Sequence, residues 1–369
     1  MGFSPSPPAR TRLVVLFGGR SAEHDVSCVS AASVLGALDP ARYEIRPVGI
    51  TLDGRWVAAT GWAVGGGGAP AVLAAEGSEV DPLATVAPGA PAAPDDVPTV
   101  VLPLLHGPLG EDGTVQGLLE LAGVAYVGAG VLGSALCMDK AKAKEVLAHH
   151  GLPQARYVAV REVEVDAGLA ERVGAELGWP VFVKPANLGS SVGISKVEGP
   201  AGLDEAVQLA LAYDEWVVVE EGVTGREIEC GVLGDLEPVA SVPGEIVPSR
   251  EFYDYEDKYS GDGADLVVPA SLPHDVTEEV RRLAVAAARA LRAEGMARVD
   301  FFFEEGGRGL LVNEVNTIPG FTPHSMYPRL WEASGVPYAE LVDRLVTTAL
   351  ERHRRRSERM GRPRPEGPT

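Results

Sequence analysis

Short apolar runs alternate with stretches of helical periodicity along most of the chain. Residues 12–17 (RLVVLF) form an apolar run that stops at Gly18-Gly19, which predicts a buried strand feeding a glycine loop. Residues 25–38 follow with helical spacing, and 45–51 and 99–105 (TVVLPLL) read as further strands. Strands separated by helices predict a parallel or mixed α/β sheet. The segment 58–98, rich in Ala, Gly and Pro, reads as a surface insertion with little regular structure.

A second block begins near residue 128. Asp139 is placed to cap a helix over 140–150, which Gly151 and Pro153 close. The strand Val181–Lys184 leads into a polar loop, Pro185–Gly193, then a helix near 203–213 and the strand Trp216–Glu220. A third block starts near 223, with strands at 227–233 and 237–247 and the polar aromatic segment EFYDYEDKYSGDG. A long helix at 276–294, ending before Gly295, and a closing strand pair at 297–303 and 309–315 complete it. These blocks set the expected domains at 12–127, 128–222 and 223–350, with 1–11 and 351–369 disordered.

Composition narrows the function classes. The 369 residues are 46% hydrophobic, enough for sizeable cores. With 32 basic and 52 acidic residues the net charge is −20, which argues against non-specific binding to nucleic acid or to an anionic membrane. A polyanionic ligand would need a local cluster of cations and backbone N–H groups. No apolar run reaches spanning length. The Arg-rich residues 351–369 read as a solvated, frayed terminus. Cys28, Cys137 and Cys230 are far apart, lie in apolar stretches and suit buried packing in a reducing cytoplasm.

Several motifs carry candidate chemistry. GAGVLG at 128–133 fits a dinucleotide glycine pattern but lacks the acidic residue about 20 positions on, so turn glycines are the reading. FGGRSAEHDVS at 17–27 puts Glu23 in a glycine turn before a helix, as a substrate partner or a first-turn carboxylate. LLHGPLGEDGTVQG at 104–117 places His106, Glu111 and Asp112 in a loop at a strand end, where Asp112 equally suits a helix cap. Lys184 ends an apolar strand before NLGSSVG, whose Ser190 and Ser191 offer a flexible, phosphate-binding lid. The segment 217–229 is either a charged hairpin or an interdomain hinge presenting Glu220, the backbone of 221–223 and Glu227 to adenine and ribose. The strongest set is ARVDFFF with LVNEVNTIPGFTPHS: Asp300, Glu314 and Asn316 are hard oxygen ligands for magnesium, and Arg298 shares their face.

In this order the motifs resemble the ATP-grasp superfamily and, within it, the D-alanine–D-alanine ligase family, from about residue 12 to 350. The resemblance rests on GGRSAEHDVS, LHGPLGEDGTVQG, MDK at 138–140, VKP with GSSVG, EFYDYEDKY, RVDFF and NEVNTIPGFTPHS. It implies a three-domain α/β architecture: an N-terminal α/β sheet domain and two α+β domains gripping ATP. Lys140, Lys184, Ser190, Ser191, Glu220, Glu221, Val223, Glu227 and Asn313 are then expected at ATP, and Asp300, Glu314 and Asn316 at two Mg²⁺ (or Mn²⁺). Glu23 is expected to pair with the first D-alanine's ammonium beside His106, and to join Ser190 and Tyr259 in a lid network. Arg298 and the N–H of Gly320 are expected to stabilise the tetrahedral oxyanion, and Lys258 and Ser325 to receive the second substrate's carboxylate. A homodimer in the cytoplasm is implied. Two rivals share parts of this set: another ATP-grasp ligase or carboxylase, which lacks the EFYDYEDKY and GFTPHS pairing, and a non-catalytic nucleotide-binding regulator.

Overall fold

The computed structural model describes residues 10–60, 72–87, 97–190, 192–248 and 264–360, and the strands among them form three sheets. The first sheet grows from β1 (Thr11–Gly18), whose residues are all buried. After α1 (His24–Ala37) come β2 (Tyr43–Ile50), β3 (Trp56–Ala59), β4 (Gly77–Glu79), the short α2 (Pro82–Val86), β5 (Thr99–Pro103), α3 (Thr114–Ala122) and β6 (Ala125–Tyr126). The order is β4-β3-β2-β1-β5-β6, parallel across β2-β1-β5-β6 and antiparallel at the β3 and β4 edge. The segment 58–98, expected to be irregular, therefore supplies the end of β3, all of β4 and a capped helix turn, in which Asp81 accepts the N–H of Ala84.

Two helices, α4 (Val131–Met138) and α5 (Lys140–His149), lead into the second sheet. Asp139 caps α5 through the N–H of Lys142, as the sequence predicts. The next elements are β7 (Tyr157–Arg161), α6 (Leu169–Glu176), β8 (Val181–Pro185), β9 (Ser195–Val197), α7 (Leu203–Leu211) and β10 (Trp216–Glu221). They give an antiparallel sheet, β7-β10-β8-β9. The glycines at 128–133 serve packing: a Cβ on Gly133 would stand 2.1 Å from the carbonyl oxygen of Arg292, so only glycine lets α4 approach that turn.

The third sheet is antiparallel, in the order β13-β12-β11-β14-β15. Its strands are β11 (Arg226–Gly234), β12 (Val239–Val247), β13 (Asp265–Val267), β14 (Gly295–Glu304) and β15 (Gly309–Asn316), with α8 (His274–Ala290) packed on one side. Helices α9 (Met326–Ala333) and α10 (Tyr338–Met360) end the described chain. The apolar face of α10 (Leu341, Val342, Leu345, Val346, Ala349) joins the core of the first sheet, so packing crosses the expected domain boundaries.

One expectation is overturned here. Residues 351–360 continue α10 instead of fraying. Arg352, only 3% exposed, donates to the carbonyls of Gly128 (2.6 Å) and Tyr126 (2.7 Å). Arg355 pairs with Asp235, and Arg356 with Glu120 and Glu294. The basic residues are thus neutralised by the acidic body, an outcome composition alone does not reveal. The three cysteines are buried and unbridged. No described helix is long and apolar enough to cross a membrane.

Candidate active site

Two cavities meet on one face of the third sheet. The first, about 540 Å³, lies between the second and third sheets. Its walls include Lys140, Lys184, Gly189, Ser190, Glu220, Glu221, Val223, Glu227, Phe302, Asn313 and Glu314. The lysines sit there for local reasons: Lys140 opens α5 just after its cap, and Lys184 stands near the end of β8. Lys140 donates to the carbonyl of Leu188 in the serine loop. Glu220 is buried, and its carboxylate pairs with both Lys184 and Lys144. Burial alone would raise the Glu220 pKa, but the two ammonium groups outweigh it and hold the carboxylate at about 2. Beside it, the Glu221 carboxylate turns to the backbone N–H and guanidinium of Arg156 and to Arg308.

The second cavity, about 670 Å³, is bounded by Glu23, His106, Glu111, Ser190, Glu229, Arg298, Asn316, Gly320 and Ser325. It shares Gly189 and Ser190 with the first, so the serine loop forms a common wall. Ser190 has a left-handed backbone (φ +52°) and donates its hydroxyl to Glu23. A non-glycine residue held in that region at a cleft is where a strained backbone serves a site. Gly107, also left-handed (φ +75°), leaves room for the same carboxylate: a Cβ there would lie 3.1 Å from Oε2 of Glu23.

The loop after β5 ties this cavity to the turn after β15. Glu111 accepts the N–H of Gly107 (2.8 Å) and of Ile318 (3.1 Å), and His106 Nδ1 lies 3.0 Å from the carbonyl oxygen of Ile318. That contact requires Nδ1 to carry the proton, which leaves Nε2 as an acceptor. Burial lowers the His106 pKa, against the pull of Glu23, so the ring is held neutral. Burial, reinforced by Glu23, pushes the Glu111 carboxyl up to about 8. Ser325 bonds within its own turn to Thr322. Asp112 accepts the N–H groups of Thr114 and Leu109, a turn and helix-start role.

Register explains how the acidic cluster arises. Residues directly opposite on antiparallel strands share a face. One row across β11, β14 and β15 is Glu229, Asp300, Glu314, and the next is Gly231, Arg298, Asn316. Asp300 accepts two bonds from Arg298 (2.7 and 2.8 Å) and one from the Asn316 amide (2.9 Å). Arg298 Nε also lies 2.9 Å from Glu229 Oε2. Burial would depress the Arg298 pKa, but Asp300 and Glu229 together hold it well above the ordinary value. Among the described residues no group of three His, Cys, Asp or Glu is close enough to hold a metal. The oxygens of Asp300, Glu314 and Asn316 are of the type that binds magnesium, with phosphate completing the shell.

Two buried residues escaped the sequence reading. Lys144, 2% exposed, lies one helical turn after Lys140. Glu229, 4% exposed, lies two after Glu227 on the same strand. The i+4 and i+2 spacings were the available signals. Ser191, Lys258 and Tyr259 lie outside the described residues.

A family model described as the D-ala D-ala ligase N-terminus matches residues 12–129, and one described as the D-ala D-ala ligase C-terminus matches 146–347. The chain is 48% identical to a D-alanine–D-alanine ligase of Bacillus licheniformis, covering 95% of this chain and 98% of that one. It is 50% identical to a D-alanine–D-alanine ligase of Solibacter usitatus, covering 94% and 98%. Among solved structures, the D-alanine-D-alanine ligase from Coxiella burnetii matches with a TM-score of 0.78 and 34% identity over 95% of this chain and 97% of that one. The VanG D-Ala:D-Ser ligase from Enterococcus faecalis matches with a TM-score of 0.79 and 34% identity over 92% and 99%.

Proposed function

The chain belongs to the D-alanine–D-alanine ligase family, and from this and its two joined cavities we infer how it condenses two D-alanines with ATP. The reaction makes D-alanyl-D-alanine, a peptidoglycan precursor, through a D-alanyl phosphate. A carboxylate is a poor acyl donor because oxide is a poor leaving group. A carboxylate oxygen of the first D-alanine attacks the γ-phosphorus and ADP departs. The neutral amine of the second D-alanine then attacks the carbonyl carbon and loses a proton. The tetrahedral intermediate expels phosphate, which carries away the oxygen that came from the carboxylate. Acyl phosphates hydrolyse readily, so the cavity must exclude water during the transfer.

In our assignment the nucleotide occupies the cavity between the second and third sheets. Lys140 and Lys184 meet its phosphates, with Ser190, Ser191 and Asn313 nearby. Glu220, Glu221, Val223 and Glu227 meet its adenosine. Lys184 then exchanges part of its pairing with Glu220 for phosphate, while Lys144 keeps the buried carboxylate neutralised. Asp300, Glu314 and Asn316 hold two Mg²⁺ or Mn²⁺ ions, which supply charge neutralisation at the transferred phosphoryl group.

Glu23 receives the first substrate's ammonium, and neutral His106 offers its Nε2 lone pair on the same side. Arg298 and the Gly320 N–H face the oxyanion. Ser325 and Lys258 receive the second carboxylate, and Tyr259 completes the network of Ser190 and Glu23. We assign domain limits of 12–127, 128–222 and 223–350, with α10 returning to the first, and carry over a cytoplasmic homodimer from the family.

The observation that carries this reading is the shared wall. Ser190 lines the nucleotide cavity and also bonds Glu23 in the substrate cavity, so one loop senses both reactants. Phosphate release from ATP, measured over a panel of D- and L-amino acids, tests it. D-alanine should give the dominant signal, with one phosphate per dipeptide; release driven equally by L-amino acids would overturn the substrate assignment.

A further inference from the structure

Arg298 stands between two carboxylates with different prospects. Asp300 holds it by two hydrogen bonds but is also a proposed cation ligand, and it already accepts the Asn316 amide. Glu229 lies on the opposite side in the same cross-strand row, on β11, two strands away from Glu314. It is buried, and its Oε2 is 2.9 Å from Arg298 Nε. A buried carboxylate is retained at a cost in desolvation, so its position beside the Arg298 guanidinium calls for a role.

We propose that Glu229 is a positioning residue that keeps the Arg298 guanidinium aimed at the acyl centre when the oxygens of Asp300 are drawn to divalent cations. This rests on the reading of Arg298 and Asp300 given above. Without Glu229, the ion pairs and hydrogen bonds that orient Arg298 among the described residues would all run through Asp300, and cation binding would compete with oxyanion stabilisation for the same two oxygens. With Glu229, the two demands are separated: one carboxylate serves the arginine, and the other bridges arginine and cation. Gly231 occupies the position opposite Arg298 in the next row, so no side chain from β11 crowds the guanidinium there.

The consequence is a split between turnover and binding. Glu229→Gln keeps size and polarity but removes the charge. It should lower kcat by about 10- to 100-fold, as for losing the close charge partner of a buried ion pair. KM for ATP should stay within about twofold, because no nucleotide contact changes. Glu229→Asp should fall between the two, since the charge remains but the reach is shorter.

A double-mutant cycle with Arg298→Met separates positioning from general structural support. If Glu229 works through Arg298, Glu229→Gln costs no further activity in the Arg298→Met background. The thermal midpoint without metal or substrates supplies a readout independent of catalysis. In Arg298→Met the buried Glu229 loses the charge of Arg298, so adding Glu229→Gln should raise the midpoint, whereas the same change in the unsubstituted protein should lower it. Purely additive effects on both kcat and midpoint, or a Glu229→Gln protein with unchanged kcat, would overturn the proposal. Absence of dipeptide synthesis by the unsubstituted protein would instead count against the functional reading, and the midpoint cycle would still decide whether Glu229 and Arg298 are coupled. Should Glu229→Gln fail to fold, the same cycle run with Glu229→Asp decides the case by the same signs.

Discussion

Arg298, Glu314 and Glu111 sit in different surroundings, and each can be tested by one substitution. Arg298 is held in the substrate cavity by carboxylates on two strands, which fits a group that meets developing negative charge. Arg298→Met should cost roughly 3–4 kcal/mol, or about 10²–10³ in kcat, as for loss of one oxyanion donor. Steady-state kinetics that showed only a raised KM for ATP would move the residue to the nucleotide site. Glu314→Gln removes a hard-ligand charge without changing shape. It should abolish turnover while circular dichroism stays native; a folded, active variant would contradict the metal assignment. Glu111 makes a pH prediction. Its pKa rises from 4.5 to about 8 on folding, so between those values the folded chain retains a proton that the unfolded chain releases. Its contribution to stability therefore falls as pH rises through that window. Glu220 has the opposite sign: held at about 2, it contributes stability above about 4.5 that is lost as pH falls. Glu111→Gln should flatten the profile of thermal midpoint against pH between about 4.5 and 8 and leave the acid loss due to Glu220 as it was.

At the scale of elements, period and spacing located much of the fold. The runs at 12–17, 45–51, 181–184 and 216–220 are strands, and Asp139 caps the predicted helix. The alternation in VNEVN placed Glu314 and Asn316 on one face, and pairing of β15 with β14 brings Asp300 and Arg298 beside them. The pairing of β11 with β14 is a long-range choice that no local pattern announces: the i+2 spacing puts Glu229 on the face of Glu227, but only this pairing sets it beside Asp300 and Arg298. The edge strands β3 and β4 were hidden by Gly/Ala-rich composition, and α10 was hidden by its charge, which is neutralised only in the tertiary structure. Gly133 offers a test at this scale. Its hydrogen faces the Arg292 carbonyl, so Gly133→Ala should overpack the junction of α4 and α8 and destabilise by about 1–3 kcal/mol. Chemical denaturation would detect this, and a neutral result would mean that the junction can relax.

Residues from all three sheets and their loops line the two joined cavities. The first supplies Glu23 and His106, the second Lys184 and the serine loop, and the third the acidic row and Arg298. Helix α10 returns from the end of the chain to the first sheet and anchors there through Arg352. Arg352→Ala would leave the carbonyls of Gly128 and Tyr126 without this donor, at about 1–3 kcal/mol for each buried group left unsatisfied. Its effect should appear as lowered stability with kcat little changed; a selective loss of kcat would show that the helix controls the cavity and not only the fold.

The central claim, that the first carboxylate is activated as an acyl phosphate, is tested most directly by following an oxygen atom. D-alanine carrying ¹⁸O in its carboxylate is supplied with unlabelled ATP, and the released phosphate and the dipeptide are resolved by mass. One ¹⁸O should appear in the inorganic phosphate for every D-alanyl-D-alanine formed, because the oxygen that attacks phosphorus departs with it. Dipeptide accompanied by unlabelled phosphate would rule out the acyl phosphate.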